Sequence, residues 1–464
     1  MATQSWVAIS HLRAQSPGDR PRSTARGLGF SAGAHTTQKM ERVGAGASSY
    51  PGALVDRLEG VSEFSGHLPG SRDYRRLLIG LFFGGVATFA QLYATQAVLP
   101  AIADDLASGP AGAALTVSAS TLGLAVAVIP WSLVADRIGR VPAMAIGLLA
   151  ATLLGAVTPF ADDLGVLLAL RLLEGAALGA VPAVALAYLS EEVSPRFVAA
   201  AAGSYIAGTT VGGLSGRVAS GWIAELAGWR WGVASVVLLC VVAAVVFLWL
   251  VPAARGFVPG RSRTVRGPSV SRRLALNLRS PVQMALYAQA FLLMGAFVAV
   301  YNYLGFHVAA PPFALPPAVV TLLFLAYLAG TVSSPRAGAL AVRYGRLPLL
   351  LGSTGLMAAG VTVMFLPFIA AVIVGLLVFT AGFFGAHAVA SGWTPVAADA
   401  EARAQASSLY YLGYYAGSSL FGWLLGLVFA SAGWGVFLTA VLGMCLFALV
   451  IAWSALRGAP SRPR

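Results

Sequence analysis

Apolar residues in this chain do not alternate as in a half-buried strand, nor do they form the narrow stripe of a surface helix. They run almost unbroken for about 20 residues at a time. Twelve such runs follow one another, at 77–99, 112–134, 142–160, 164–190, 197–225, 231–251, 282–306, 317–337, 348–366, 369–393, 405–430 and 434–456. At 1.5 Å per residue each run reaches across roughly 30 Å of hydrocarbon. Continuous runs predict helices rather than the ten-residue alternating strands of an outer-membrane barrel, since a helix satisfies its own backbone in lipid. The expected fold is an all-α membrane protein of twelve transmembrane helices.

Composition agrees: 58% apolar residues, 10% charged residues and a mean hydropathy of +0.80 exclude a water-soluble globule. A net charge of +13 would suit a nucleic-acid partner only if the basic residues were gathered on a folded surface. Instead all but three of the 30 Lys and Arg residues fall in the tails, in loops or, for Arg336, at the end of a run, all on one side of the twelve runs. On the other side Arg230 stands near Asp104, Asp105, Asp162 and Asp163, while Arg171 and Arg217 lie inside runs. By the positive-inside rule both termini are cytoplasmic, and no nucleic-acid partner is expected. Cys240 and Cys445 sit in apolar runs without companions, so no metal site is expected.

Residues 1–74 are rich in Ser, Gly, Ala, Pro and Arg without apolar periodicity and read as a disordered cytoplasmic tail. A repeat follows. Ala135-Asp136-Arg137-Ile138-Gly139-Arg140-Val141-Pro142 aligns with Ala341-Val342-Arg343-Tyr344-Gly345-Arg346-Leu347-Pro348 at a constant offset of 206. The same offset lays glycine-rich helix 5 (Gly203, Gly208, Gly212, Gly213, Gly216) over helix 11 (Gly413, Gly417, Gly422, Gly426). The chain therefore reads as a six-helix bundle at 75–251, a flexible linker at 252–280, a second bundle at 281–456 and a tail at 457–464. The linker carries Arg255, Arg261, Arg263, Arg266, Arg272, Arg273 and Arg279 and can touch anionic lipid heads.

These loops resemble the signature of the major facilitator superfamily, Gly-x-x-x-Asp-Arg-x-Gly-Arg-Arg after helix 2. The match is Ser132 (for Gly), Asp136, Arg137, Gly139 and Arg140, with Gly338, Arg343, Gly345 and Arg346 in the weaker second copy. Arg171-x-x-Glu174-Gly175 resembles the Arg-x-x-Gln-Gly element of the family's proton-coupled drug antiporters. Several segments, among them LSEEVSP at 189–195 and QASSLYYLGYYAGSS at 405–419, resemble the bacterial YnfM-type branch. Helix 5 departs from the antiporter pattern, having Leu214-Ser215-Gly216-Arg217 without proline. The resemblance, over about residues 75–456, implies two pseudo-symmetric bundles that rock about a site near the bilayer midplane.

On that expectation Asp136 anchors a charged latch that forms in one orientation and breaks in the other, although loop charges that merely set topology would look the same. Arg171 and Glu174, on one face of helix 4 at i and i+3, and Arg217 on helix 5 are too costly to face lipid and should face one another or a wet cavity. Glu174 is then a proton site whose protonation frees Arg171 or Arg217, or half of a permanent structural pair. His387 on helix 10 is a second proton carrier or a packing residue. Gln91, Tyr93, Thr95 and Gln96 on helix 1, with Gln289, Tyr301, Asn302 and Tyr303 on helix 7, are cavity contacts for a small amphipathic or aromatic molecule, or interhelical hydrogen bonds.

No phosphate-binding Gly-x-x-x-x-Gly-Lys-Ser/Thr occurs and Lys39 is the single lysine, so an ion gradient rather than ATP is the expected drive, and no cofactor is implied. One charge crossing about 150 mV supplies roughly 3.5 kcal/mol, enough for about a 300-fold substrate gradient. The expectation is secondary active transport, with proton-coupled efflux first, facilitation or proton symport second, and a sensor without transport last. The chain is expected to act as a monomer and not as an enzyme.

Overall fold

The computed structural model of the protein describes residues 64–257 and 269–458. Among them eleven helices are long and apolar enough to cross a bilayer. We label them α1 (Arg72–Asp105), α2 (Gly109–Ile138), α3 (Arg140–Phe160), α4 (Leu164–Glu192), α5 (Pro195–Ala227), α6 (Trp229–Leu250), α7 (Pro281–Ala309), α8 (Pro317–Tyr344), α9 (Arg346–Val363) and α10 (Ile369–Ala397). The eleventh, Ala400–Leu456, is 57 residues long, about twice a span. It is broken at Gly433, with φ 74° and ψ −175°, into α11 (residues 403–432) and α12 (residues 434–456). The reversal is real: the rings of Phe429 and Phe437 approach to 6.0 Å, and both touch Tyr303, although eight residues of straight helix would carry them about 12 Å apart. Twelve crossings result.

The same device closes four connections. Gly139 joins α2 to α3 at φ 100°, ψ 160°, and Gly345 joins α8 to α9 at φ 94°, ψ 158°. Gly228 joins α5 to α6 at φ 89°, ψ 164°, the counterpart of Gly433. A Cβ disfavours this left-handed backbone, which is why glycine marks the turns. Repeated turns produce repeated packing. α1 packs on α5, α2 on α4 and α3 on α4 in the first six helices, as α7 does on α11, α8 on α10 and α9 on α10 in the last six. The two sets meet through α2 against α11 and α5 against α8, contacts that the repeat exchanges. α7 and α1 are the most buried crossings, with 83% and 72% of their apolar windows inside. The outer helices instead expose Phe160, Leu153 and Trp249, a surface that suits only hydrocarbon.

Burial is uneven from end to end. One apolar core unites the last six helices with the parts of α1, α2, α3, α4 and α6 away from the arginine-rich side, including Tyr93, Leu99, Val117, Ala151, Leu167 and Trp229. The arginine-rich ends of α1, α3, α4, α5 and α6 form a separate core around Leu77, Met144, Tyr188 and Phe247.

Several expectations shift. α1 begins at Arg72, capped by the Ser71 hydroxyl, so the end of the expected tail is ordered; residues 1–63 lie outside the described residues. The linker is not uniformly flexible. Its start is held by α4, whose Tyr188 hydroxyl donates to Pro252 O at 2.7 Å, while Glu192 accepts from the Arg255 and Gly256 amides at 2.6 Å each. Its end is a helix, Val270–Arg279, tied by Asn277 Nδ2 to Ala402 O at 3.0 Å. Arg261, Arg263 and Arg266 lie outside the described residues.

Candidate functional site

The site is built around a break in α1. Helix Arg72–Leu92 stops, a turn leads to the 3-10 turn Gln96–Val98, and helix resumes over Leu99–Asp105. Pro100 has no N–H to give to Gln96 O, so the ordinary helical ladder cannot continue there. The carbonyls freed at the stop are taken by Arg171 of α4. Its Nη2 donates to Leu92 O at 2.6 Å, Nη1 to Gln91 O at 3.1 Å and Nε to Thr116 O of α2 at 3.3 Å. Nη1 also pairs with Glu174 Oε2 at 2.5 Å, and both side chains are fully buried. The i, i+3 pair expected on one face of α4 is formed. The Gln91 side chain stands beside the same carboxylate, at Gly155 of α3.

Arg217 does not join this pair, so Arg171 and Glu174 face one another without it. It lies on the other side of the α1 break. Its Nε donates to Gln96 Oε1 at 2.6 Å, Nη1 to Gly213 O at 2.5 Å and Nη2 to the Tyr327 hydroxyl of α8 at 3.2 Å. The guanidinium stacks on Tyr93 at 4.1 Å and Tyr327 at 4.6 Å. Gln96 in turn donates to Asn302 Oδ1 of α7 at 2.7 Å. These two amides are 206 residues apart, the offset of the loop repeat, so each meets its own counterpart, as residues on a two-fold axis must. Tyr301 of α7 binds Thr380 at 2.7 Å and touches Tyr327 at 4.6 Å. Beyond Gln96 and Asn302, toward the less basic side, a cleft has room for about one water molecule.

Two of the cavity candidates take the other role open to them, interhelical hydrogen bonding. Gln289 points to α12, donating to Ala448 O at 2.8 Å, and Gln91 points to α3, donating to Ala151 O at 2.5 Å. Both are interhelical packing amides away from the α1–α7 junction. His387 hydrogen-bonds the Tyr410 hydroxyl at 3.0 Å and lies over Phe383.

On the arginine-rich side Arg140, rather than Asp136, is the hub. It binds Asp136 at 2.6 Å and Glu191 at the end of α4 at 2.8 Å, while Arg137 is exposed. The second copy keeps the turn but not the charges. Val342 and Ala397 stand where the repeat would place the acids, and Arg346 has no carboxylate partner among the described residues. Arg343 lies over Tyr344 at 5.1 Å, and Gly338 lies within α8. Glu191, Tyr327 and Thr380 were not singled out in the sequence. A glutamate at a helix end and hydroxyls in apolar runs give no signal until their partners are placed.

A family model described as Major Facilitator Superfamily matches residues 81–420. The chain is 38% identical to the inner membrane transport protein YnfM of Escherichia coli over 380 residues, 81% of this chain and 90% of that protein. It is 32% identical to the multi-drug resistance efflux pump PmrA of Streptococcus pneumoniae over 155 residues, 32% of this chain and 38% of that one. Its fold is similar to the inward-facing, occupied crystal structure of a bacterial homologue of the human lysosomal transporter Spinster, with a TM-score of 0.68 at 14% identity over 84% of this chain and 98% of that one. Repeat, fold and sequence relationship together make this multi-pass membrane protein a member of the major facilitator superfamily, whose proteins carry small molecules across membranes.

Proposed function

We propose that this chain is a secondary active transporter that exports a small amphipathic or aromatic molecule across the bacterial inner membrane in exchange for protons. The observation that carries this reading is the buried Arg171–Glu174 pair fastened to the break in α1. A proton on Glu174 removes the charge that holds Arg171. Arg171 then relaxes its grip on Leu92 O and Gln91 O, and α1 hinges next to Tyr93 and Gln96, the residues that touch Arg217 and α7. Charge at one side of the break is thereby linked to the junction of the two helix sets at the other. The relatives YnfM and PmrA, an inner membrane transport protein and a multi-drug resistance efflux pump, support this reading.

Alternating access has its own support. Among the described residues, the side-chain hydrogen bonds Gln96–Asn302, Thr121–Ser419 and Arg217–Tyr327 join the helix sets toward the less basic side, and the arginine-rich ends of the first set keep a separate core. On this reading the two sets are open toward the cytoplasm, with Arg140 paired to Glu191 and Asp136 inside the first set as the closed latch.

Everted vesicles from cells overproducing the chain, energised by respiration and carrying a pH-sensitive dye, test the coupling. A transported compound should draw protons out of the acidic lumen in the wild type and not in Glu174→Gln. Transport without proton movement makes the protein a facilitator, and unchanged proton movement in Glu174→Gln removes the coupling role.

A further inference from the structure

Arg217 is set apart by what it lacks. Arg171, equally buried, has its charge met by Glu174 at 2.5 Å. Arg217 is 2% exposed, yet its partners are all neutral: an amide oxygen, a backbone carbonyl and a phenol. No carboxylate pairs with it among the described residues. A guanidinium carries five N–H donors, and these bonds occupy three. The ring faces of Tyr93 and Tyr327 ease the burial of the cation without neutralising it. The protein has a way to match a buried arginine, shown at Arg171, and does not use it here.

The surroundings say what kind of anion would match it. From Tyr327 the rings continue through Phe297 at 5.3 Å, Phe383 at 3.9 Å from Phe297, His387 at 5.9 Å from Phe383 and Tyr411 at 6.3 Å from His387. This lane runs along α7, α8, α10 and α11 from the buried guanidinium toward the arginine-rich side, where Tyr411 is 44% exposed. One cation at the closed end sets one negative charge, and a lane of rings sets an apolar, flat body.

We infer that the substrate is an aromatic organic monoanion, its carboxylate received by the two spare donors of Arg217 and its ring body by the aromatic lane. A cationic compound would meet Arg217 with no acid to accept it, and a neutral one would leave the guanidinium unmatched. The inference deepens the transport reading above, but binding is measured apart from transport so that either can fail alone.

The test is calorimetric titration of the purified full-length chain at pH 7.5 with 2-naphthoate, 2-naphthamide, 2-naphthylmethylammonium and acetate. The acid should bind at least about tenfold more tightly than the amide, a charge-assisted bond being worth about that much, and the ammonium and acetate should bind weakest. Arg217→Gln should bring the acid down to the level of the amide and leave the amide unchanged. Arg217→Lys, which keeps the charge without the planar fork, should fall between. Equal binding of acid and amide, preference for the ammonium, or an acid preference that survives in Arg217→Gln overturns the inference. Should Arg217→Gln not fold, the wild-type ranking decides alone. Proton-coupled movement of cations in vesicles, without anion binding, would sink this site and spare the transport reading; anion binding without proton movement would do the reverse.

Discussion

Removing Arg171 alone strands the Glu174 carboxylate in an environment with no exposure, whereas replacing both residues removes the charge and its counter-charge together. Arg171→Leu should therefore cost about 3–5 kcal/mol of stability, and the double substitution Arg171→Leu/Glu174→Leu should recover most of it. Unfolding of the purified protein in detergent reads both, and a double variant as unstable as the single would mean that the backbone bonds of Arg171 carry the stability. The Arg140 latch is a different kind of pair, with Glu191 25% and Asp136 44% exposed. Glu191→Gln should lower stability by no more than about 1 kcal/mol while changing the rate of transport in vesicles. Arg171, Glu174 and Arg217 stood out in the sequence because ionisable residues in apolar runs are conspicuous. Their division into two sites did not, since the partners of Arg217 come from positions 121 and 110 residues away.

At the scale of elements, the repeat is carried by backbone more than by charge. On α5, Gly208, Gly212 and Gly216 lie one helical turn apart against the backbone of Phe82, Val86 and Ala90 on α1, and a Cβ at Gly212 would overlap Val86 O. On α11, Gly413 and Gly417 face Tyr287 and Phe291 of α7 in the same manner. The glycines let helices approach closely enough for dispersion and weak Cα–H contacts to hold them without a hydrophobic driving force. Gly212→Leu should wedge α1 from α5 and sharply reduce the yield and melting temperature of folded protein. Gly203→Leu, where a Cβ meets open space, should be tolerated. Comparable melting curves for the two would refute the packing role. Sequence showed a glycine-rich helix; which of its faces is the seam depends on how the helix is rotated against α1.

For the whole molecule, Thr121 of α2 and Ser419 of α11 bring their hydroxyls to 2.8 Å across the two helix sets. Thr121→Cys/Ser419→Cys should form a disulfide that holds the less basic side shut. Thiol labelling under denaturing conditions should show two cysteines lost, and transport should stop until a reductant restores it. Full transport by the cross-linked chain would contradict rocking of the two sets.

Twelve crossings, their orientation and the internal repeat were determined by sequence alone, because span length, loop charge and motif spacing are local properties that the bilayer reads directly. Tertiary structure decided the rest. It placed Gln96 on its counterpart Asn302, turned Gln91 and Gln289 away from the junction, and separated Arg217 from Arg171 and Glu174. The physical reason is that a helix in lipid is apolar on every face, so its sequence carries no strong stripe to say which face turns inward. That choice rests on close packing and on where each buried polar group finds a partner, and both exist only once all the helices are in place.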